Sequence, residues 1–333
     1  MPANRQILLA SRPNGWPTEA DFKLVETPVP TPGDGQALVR NHYLSLDPYM
    51  RGRMDAVKSY AKSVEVGEVM VGGTVGEVLE SRSPKVHPGD FVVGALGWQE
   101  YGVADAGVLS KVDPKRAPIS VYLGSLGMPG VTAWVGLVDI CAPKPGETVV
   151  VSAASGAVGS VVGQLAKRRG CRAVGIAGGP AKCNYVVGEL GLDACVDYKA
   201  GNLYEDLKAA LPNGADAHFE SVGSETLDTM LRLMNPHSRI AICGLISQYN
   251  ATEAYGYKNF RSVLVNRIRM QGFIVSDRME LWPQALKELG AAFAQGKLKY
   301  RETVAQGLEG APKAFLGMLR GENFGKQLVK LVP

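Results

Sequence analysis

The sequence predicts an α/β chain in two parts, a mostly β segment followed by strands that alternate with helices as in a parallel, doubly wound sheet. Three observations carry this reading. The first ~125 residues are rich in Gly, Pro and Val and break into short runs between turns. Beyond Gly127-Met128-Pro129-Gly130, strand-length and helix-length runs follow one another in turn, the pattern of a parallel sheet covered on both faces. A chain of 333 residues also exceeds one average core and fits two domains.

In the first part, residues 37–40, 68–71, 74–80, 91–93 and 99–103 read as strands. In the second, Thr148 to Ser152 is a β-branched run after the turn Lys144-Pro145-Gly146-Glu147, and a helix is expected over 157–169. Strand 172–177, a helix to Leu190, strand 194–197, a helix to Leu211, strand 217–222 and helix 225–234 follow. Strands at 240–246 and 270–275, helices at 282–295 and 310–320 and a strand at 326–331 complete the order.

Composition narrows the class. A mean hydropathy of −0.01 with 46% hydrophobic residues describes a globular chain, not a disordered one. The densest basic run, Lys167-Arg168-Arg169, closes an expected helix, where the negative end of the dipole favours cations, so nucleic acid is not an expected partner. No uncharged apolar stretch reaches about 18 residues and Met1 to Ala10 lacks a signal-like core. A cytoplasmic protein without a membrane partner is expected. The five cysteines are odd in number and form no CxxC, so buried, inert thiols are expected.

The strongest local signal is Val149-Val150-Val151-Ser152-Ala153-Ala154-Ser155-Gly156-Ala157-Val158-Gly159. It follows an expected strand and opens an expected helix, the context of a dinucleotide fingerprint. Ala154 stands where the first Gly of GxGxxG would be. Gly156 lets backbone approach a pyrophosphate, Gly159 permits close helix packing, and the helix N-terminus offers N–H groups to the phosphates. At the end of the next strand an NAD site would carry an acid for the ribose hydroxyls. Here the chain reads Ala177-Gly178-Gly179-Pro180-Ala181-Lys182, without one. A missing carboxylate and the Lys182 cation favour a 2′-phosphate, hence NADPH/NADP+. A solvated lysine at a helix start is the alternative for Lys182.

Six spaced stretches then carry a resemblance over nearly the whole chain: Leu44-Ser45-Leu46-Asp47-Pro48-Tyr49-Met50-Arg51, Leu126 to Ala133, the AxxGxxG loop, Lys182 with Asp197-Tyr198-Lys199, Cys243 to Asn250, and Gly321 to Lys326. The chain resembles the zinc-independent medium-chain dehydrogenase/reductases, within them the prostaglandin and leukotriene reductases, plant double-bond reductases and bacterial curcumin reductases. The resemblance implies a GroES-like, mostly β catalytic domain (residues 1–125, with 296–333 returning to it) and a Rossmann NADP-binding domain over 126–295. It also implies an active site in the cleft between them and a homodimer joined through Arg269 to Val275, an expected edge strand. By this resemblance Gly156, Ala157, Val158 and Gly159 hold the pyrophosphate, while Lys182 and Tyr198 hold the 2′-phosphate. Ser221, Cys243, Gly244, Leu245, Ile246, Ser247, Tyr249, Phe273, Val275 and Asn323 border the nicotinamide, with Met128 and Thr132 packed nearby. Ser221 departs from the Asn that relatives often carry.

Zinc alcohol dehydrogenases of the wider superfamily carry Cys and Gly-His-Glu ligand stretches in the first domain. This chain has Asn41-His42-Tyr43-Leu44-Ser45 and Val71-Gly72-Gly73-Thr74-Val75-Gly76-Glu77-Val78 there, and its first Cys is Cys141. No metal is expected. His42, His87, His218 and His237 are expected in turns or at the surface. A nicotinamide site of this kind suits reduction of the C=C bond of α,β-unsaturated ketones and aldehydes. Tyr249 matches the tyrosine that the family places near the developing enolate, and Tyr49 is a second candidate donor or a pocket wall; plain aromatic packing is the alternative for both. Tyr204 and Lys208 match the YxxxK dyad of short-chain dehydrogenases but fall in an amphipathic helix, where the pair is commonplace. A quinone reductase of the same fold, or an NADPH-binding protein without turnover, are the competing functions.

Overall fold

The structure is a computed structural model in which residues 3–332 are described. The chain divides into two compact units, Met1–Leu123 with Glu302–Pro333, and Gly124–Arg301.

The first unit opens with β1 (Ala3–Leu9) and β2 (Phe22–Pro28), an antiparallel pair. Then come β3 (Gln36–Ser45), the short helix α1 (Tyr49–Arg53), β4 (Thr74–Ser81), β5 (Phe91–Gly94), β6 (Tyr101–Asp105) and β7 (Ser110–Val112). The expected strand at 68–71 is an extended segment instead. It makes only an isolated bridge, Leu8 to Val69, because the flanking Gly67 and Gly72-Gly73 interrupt any longer ladder. The strands at 3–9 and 22–28 were not among the sequence expectations.

The second unit contains α2 (Met128–Trp134), which runs on as a π-helical turn to Cys141, and six parallel strands. They are β8 (Thr148–Val151), β9 (Arg172–Ala177), β10 (Ala194–Asp197), β11 (Ala215–Glu220), β12 (Met234–Ile242) and β13 (Arg269–Gly272), in the spatial order β10-β9-β8-β11-β12-β13. Between them lie α3 (Gly159–Arg168), α4 (Pro180–Gly188), α5 (Leu203–Ala210), α6 (Ser224–Leu231) and α7 (Arg261–Val265), and α8 (Trp282–Ala294) follows. This is the doubly wound order, with its switch point between β8 and β11. The central strands are buried on both faces, as their unbroken apolar runs require; every residue of β8 is buried.

Two expected strands end earlier than the sequence implied, and the first also begins earlier, at Met234, which was expected to close a helix. It ends at Ile242, level with Glu220, the last residue of its neighbour β11; beyond that register the chain folds over, Ile246 and Ser247 donating to the carbonyls of Ser221 and Val222. The run at 270–275 ends at Gly272, and Val275–Leu281 turns into a 3₁₀ segment. Tyr204 and Lys208 lie on α5, with Arg232 stacked 3.5 Å from the Tyr204 ring centroid, so the YxxxK pair is a packing feature.

The chain closes in the first unit with β14 (Glu302–Gln306), α9 (Ala311–Leu319) and β15 (Lys326–Lys330). β15 pairs with β3, and Phe315 of α9 packs edge-on against Trp98, which is stacked on Phe22 at 5.5 Å. A buried ion pair anchors this return. Lys326 Nζ donates to Asp47 Oδ1 at 2.8 Å and to the Leu46 carbonyl at 2.7 Å.

Candidate active site

The candidate site of the second unit is built at the C-terminal ends of its parallel strands, where open α/β sheets bind ligands. After β8 the chain turns through Ala153, whose φ of +48° is left-handed. A non-glycine residue there costs on the order of 1–3 kcal/mol and survives only where its neighbours enforce it. Ala154, standing for the first glycine of the fingerprint, is fully buried and donates its N–H to Ile176. Its methyl is accommodated because the facing residue is Gly175, where a Cβ would lie 2.8 Å from that of Ala154. At Gly159 a Cβ would meet the Ala153 carbonyl oxygen at 2.4 Å. That glycine therefore lets α3 start directly against its own loop, not against the strand. Gly156, Ala157, Val158 and Gly159 are thus one tight turn leading into a helix N-terminus, the geometry that receives phosphate groups.

The second cluster surrounds Gly178, between β9 and α4. A Cβ on Gly178 would lie 2.8 Å from Tyr198 Cε1, 3.0 Å from its hydroxyl and 3.1 Å from Lys199 Cε. Only glycine fits. Asp197 caps the turn, accepting from the N–H of Gly179 at 2.7 Å and of Lys199 at 2.9 Å. Lys182, in the first turn of α4, is half-buried; burial and then the Lys199 charge hold its pKa below the ordinary lysine value. Two cations that raise each other's cost, beside a phenol and a close backbone approach, fit a doubly charged phosphate. The structure brings Lys182 and Tyr198 into one cluster and adds Lys199 and Asp197, to which the sequence reading gave no role. The signal was present: an acid at a strand end, with a lysine two positions on.

The third cluster occupies the switch point. His218 and Glu220, expected neither as a pair nor as buried, are both completely buried on β11. His218 was expected at a turn or surface, so this is a correction. Residues i and i+2 of a strand share a face, and in a sheet covered on both sides that face is interior. His218 Nε2 lies 2.8 Å from Glu220 Oε2, and its Nδ1 lies 3.1 Å from the Val150 carbonyl oxygen. Glu220 Oε1 accepts from the Ser152 hydroxyl at 2.7 Å, from the Gly223 N–H at 3.1 Å and from the Val222 N–H. Burial by itself pushes the Glu220 pKa up. The His218 charge and these hydrogen bonds outweigh it and hold the carboxyl below its ordinary value.

Ser221 and the Cys243–Tyr249 loop are brought together beside that carboxylate. The Ser221 N–H donates to Ser152 Oγ at 2.7 Å, and its carbonyl accepts from Ile246. Ser247 donates its N–H and its hydroxyl to the Val222 carbonyl. Tyr249 turns back over this loop, its hydroxyl accepting from the Leu245 N–H at 3.3 Å and lying where it would crowd any Cβ on Gly244.

Phe273 packs edge-on against Phe219, and a Cβ on Gly136 would strike both rings. The Val275 carbonyl accepts from Trp282 Nε1, and in α2 Thr132 Oγ1 donates to the Met128 carbonyl. Tyr49 and Asn323 belong to the first unit. Tyr49 starts α1, half-buried, with its phenol pKa raised chiefly by burial, and the Arg53 guanidinium lies 5.6 Å from its ring centroid. Asn323 Nδ2 donates to the Gly325 carbonyl. Among the described residues no group of three or more His, Cys, Asp or Glu is placed to hold a metal ion, and no helix is long and apolar enough to cross a membrane.

Comparison with known proteins places this geometry. Residues 5–112 match the family described as the N-terminal domain of oxidoreductase, and residues 157–291 the family described as zinc-binding dehydrogenase. The chain is 47% identical to the NADPH-dependent curcumin reductase of Escherichia coli (strain K12), covering 98% of this chain and 97% of that protein. The chain belongs to the medium-chain dehydrogenase/reductases. Within them it is also 44% identical to a 2-alkenal reductase (NADP(+)-dependent) of Nicotiana tabacum, over 98% of this chain and 97% of that protein. The crystal structure of CurA from Vibrio vulnificus in complex with NADPH superposes with a TM-score of 0.95 at 47% identity, covering 99% of each chain. The N-terminal match of this medium-chain reductase contains Tyr49, and the second match begins at Ala157, inside the glycine loop, and contains Gly159, Lys182, Tyr198 and Tyr249.

The His218–Glu220 pair yields a stability prediction. A carboxyl with a lowered native pKa contributes stability above its unfolded value, about 4.3, and loses it as pH falls through the native value. His218→Phe strands a buried charge and is expected to cost about 3–5 kcal/mol near neutrality. Scanning calorimetry from pH 7 to pH 3 should show a lower Tm and a flatter acid limb for the variant. A variant as stable as the parent at pH 7 would refute the ion-pair reading.

Proposed function

We propose that this medium-chain reductase catalyses NADPH-dependent reduction of the C=C bond of α,β-unsaturated ketones and aldehydes. The observation that carries the reading is its match, over nearly the full length of both chains, to reductases named for curcumin and 2-alkenals that use this coenzyme. The turn Gly178–Lys182 carries no acid of its own, the Asp197 carboxylate beside it is taken up by the N–H groups of Gly179 and Lys199, and Lys182, Tyr198 and Lys199 lie around it, which supports the choice of NADPH. When bound, NADPH supplies the hydride that reduces the carbon β to the carbonyl.

The chain's own residues bind, orient and hold a proton. The Gly156–Gly159 turn receives the pyrophosphate, and the Gly178 cluster receives the 2′-phosphate. Ser221, Cys243 to Ser247, Phe273, Val275, Met128, Thr132 and Asn323 are proposed to border the nicotinamide. Tyr249 offers its proton to the carbonyl oxygen, where negative charge collects as the double bond is reduced. Tyr49 serves as a pocket wall or auxiliary donor. Solvent delivers the final proton to the α-carbon. The substrate is a small enone or enal.

The protein is proposed to act in the cytoplasm as a homodimer. β13 has a single partner, β12, and borders the sheet. Its own exposed residues, Arg269 and Gln271, are polar, but Phe260, Leu264 and Val265 just before it and Met279 after it are exposed apolar side chains. An open edge flanked by apolar residues is protected when a second copy pairs with it about a two-fold axis. Light scattering at micromolar concentration should give twice the chain mass, and a monomer mass would overturn the assembly.

Lys182→Ala should weaken NADPH roughly tenfold or more, since a charge-assisted hydrogen bond contributes about 1.5–3 kcal/mol, and leave NADH nearly unchanged. Equal losses for both coenzymes, read as KM, would remove Lys182 from the 2′-phosphate.

Tyr249→Phe removes the donor and keeps the ring. The loss should fall on kcat and kcat/KM, by up to about 10²–10³-fold, with NADPH affinity little changed. If Phe stays within twofold of the parent and only Tyr249→Ala is damaging, Tyr249 is a packing residue.

A further inference from the structure

Of the five cysteines, Cys141 and Cys171 are buried, and Cys183, Cys195 and Cys243 are partly buried; two of the latter share a contact that burial does not explain. Cys183 on α4 and Cys195 on β10 face each other with their sulfurs 2.8 Å apart, the Cys195 thiol donating to the Cys183 sulfur. Both are only partly buried, whereas inert, buried thiols were expected. The contact forms because β10 runs parallel to β9 with Cys195 opposite Gly175, and α4 crosses the same face. Gly175, whose missing Cβ would strike Ala154 and Val186 at 2.8 Å, lets α4 pack close over this face, and a Cβ there would sit 3.5 Å from Cys195 Sγ, in ordinary contact. A disulfide needs a sulfur separation of about 2.05 Å. The remaining gap of under about 1 Å is within the reach of small side-chain and helix adjustments.

The pair sits on both banks of the Gly178 cluster. Cys183 directly follows Lys182, and Cys195 precedes Asp197, Tyr198 and Lys199 on the strand that caps the turn. We propose that Cys183 and Cys195 form a dithiol site that peroxides convert to a disulfide, and that closing it loosens the grip of the Gly178 cluster on the coenzyme's 2′-phosphate. The second half of this proposal rests on the assignment of Lys182 and Tyr198 to that phosphate.

The chemistry balances with the peroxide as oxidant. The Cys183 thiolate attacks one peroxide oxygen, the O–O bond breaks, and a sulfenic acid and one water form. The Cys195 sulfur then attacks the Cys183 sulfur. The S–O bond breaks, and hydroxide leaves as water with the Cys195 proton. Two thiols lose two electrons and two protons, and one hydrogen peroxide becomes two waters. Cys183 is the attacking thiol because the Cys195 S–H bond to it favours its thiolate, although burial pushes both thiols up, Cys195 far more. The reaction is therefore slower than at an exposed, activated cysteine.

Drawing the sulfurs together moves the first turn of α4 against β10. Charge-assisted contacts to phosphate operate over a narrow 2.7–2.9 Å range, so a shift of a few tenths of an ångström between Lys182 and Tyr198 weakens a 2′-phosphate held by both. NADH, which lacks that phosphate, does not register the shift.

The test treats the full-length protein with hydrogen peroxide, removes the excess with catalase, and compares it with an aliquot reduced by dithiothreitol. Intact mass should fall by two hydrogen atoms, and unreduced peptide mapping should join Cys183 to Cys195. KM for NADPH should rise at least about threefold, KM for NADH should stay unchanged, and dithiothreitol should reverse the effect. Cys195→Ser should stop at a Cys183 sulfenic acid that dimedone traps, and Cys183→Ser should show no change in KM. Absence of the cross-linked peptide overturns the site. A cross-link that leaves NADPH unaffected, or weakens both coenzymes equally, overturns the switch. Lys182→Ala, measured alongside in reduced protein, separates these outcomes from failure of the phosphate assignment: if it still discriminates between the coenzymes, only the switch has failed.

Discussion

Glu220 carries a charge at a place in the sheet where water does not reach, and the arrangement of the surrounding loops follows from satisfying it. One carboxylate oxygen takes the Ser152 hydroxyl and the N–H groups of Val222 and Gly223, while the other faces His218. A buried carboxylate left unpaired would cost several kcal/mol, so these donors cannot drift. Ser152 directly follows β8 and Glu220 ends β11, the two strands on either side of the switch point. Their bond therefore fixes the distance across which a ligand would lie. Ser152 in turn accepts from the Ser221 N–H, and the β12 loop attaches through Cys243, Ile246 and Ser247. Tyr249 is held at the far end of this chain of bonds.

The chemistry of the site changes along the sheet edge. At Gly178 there are two lysines, a phenol and the Asp197 carboxylate around a close backbone approach. At Tyr249 there are hydroxyls and backbone amides. Under the proposed function the first would serve coenzyme affinity and the second turnover, since only contacts that strengthen in the transition state raise the rate. The glycines of the fingerprint divide similarly. Gly159 serves packing, because a Cβ would strike the Ala153 carbonyl, whereas Gly156 has its nearest such contact at 3.1 Å and leaves its outer side open to a ligand.

The Cys183–Cys195 contact belongs to the binding end of this edge and not to the catalytic end. Under the proposed assignment a covalent tie there acts at the 2′-phosphate end, on α4 and β10, neither of which donates to the Glu220 carboxylate.

The local pattern of the chain determined the α/β class, the alternating strands, the glycine loop and the acid-free turn before Lys182, because each depends on residues close together in sequence. Strand Ala194–Asp197 was readable to the residue, since β-branched and apolar side chains bounded by Gly and acid leave little alternative. Strand ends were not readable where the neighbouring strand decided them: residues 243–246 are as apolar as a strand, but β12 stops at Ile242, paired with Glu220, where its partner β11 also ends. His218 and Glu220 look like surface residues until the sheet is covered on both faces. Cys183 and Cys195 look like unrelated thiols until α4 crosses β10. Propensity and periodicity are properties of neighbours along the chain, so they specify which elements form. Burial, charge pairing and sulfur contact are properties of neighbours in space, and these the tertiary structure alone decided.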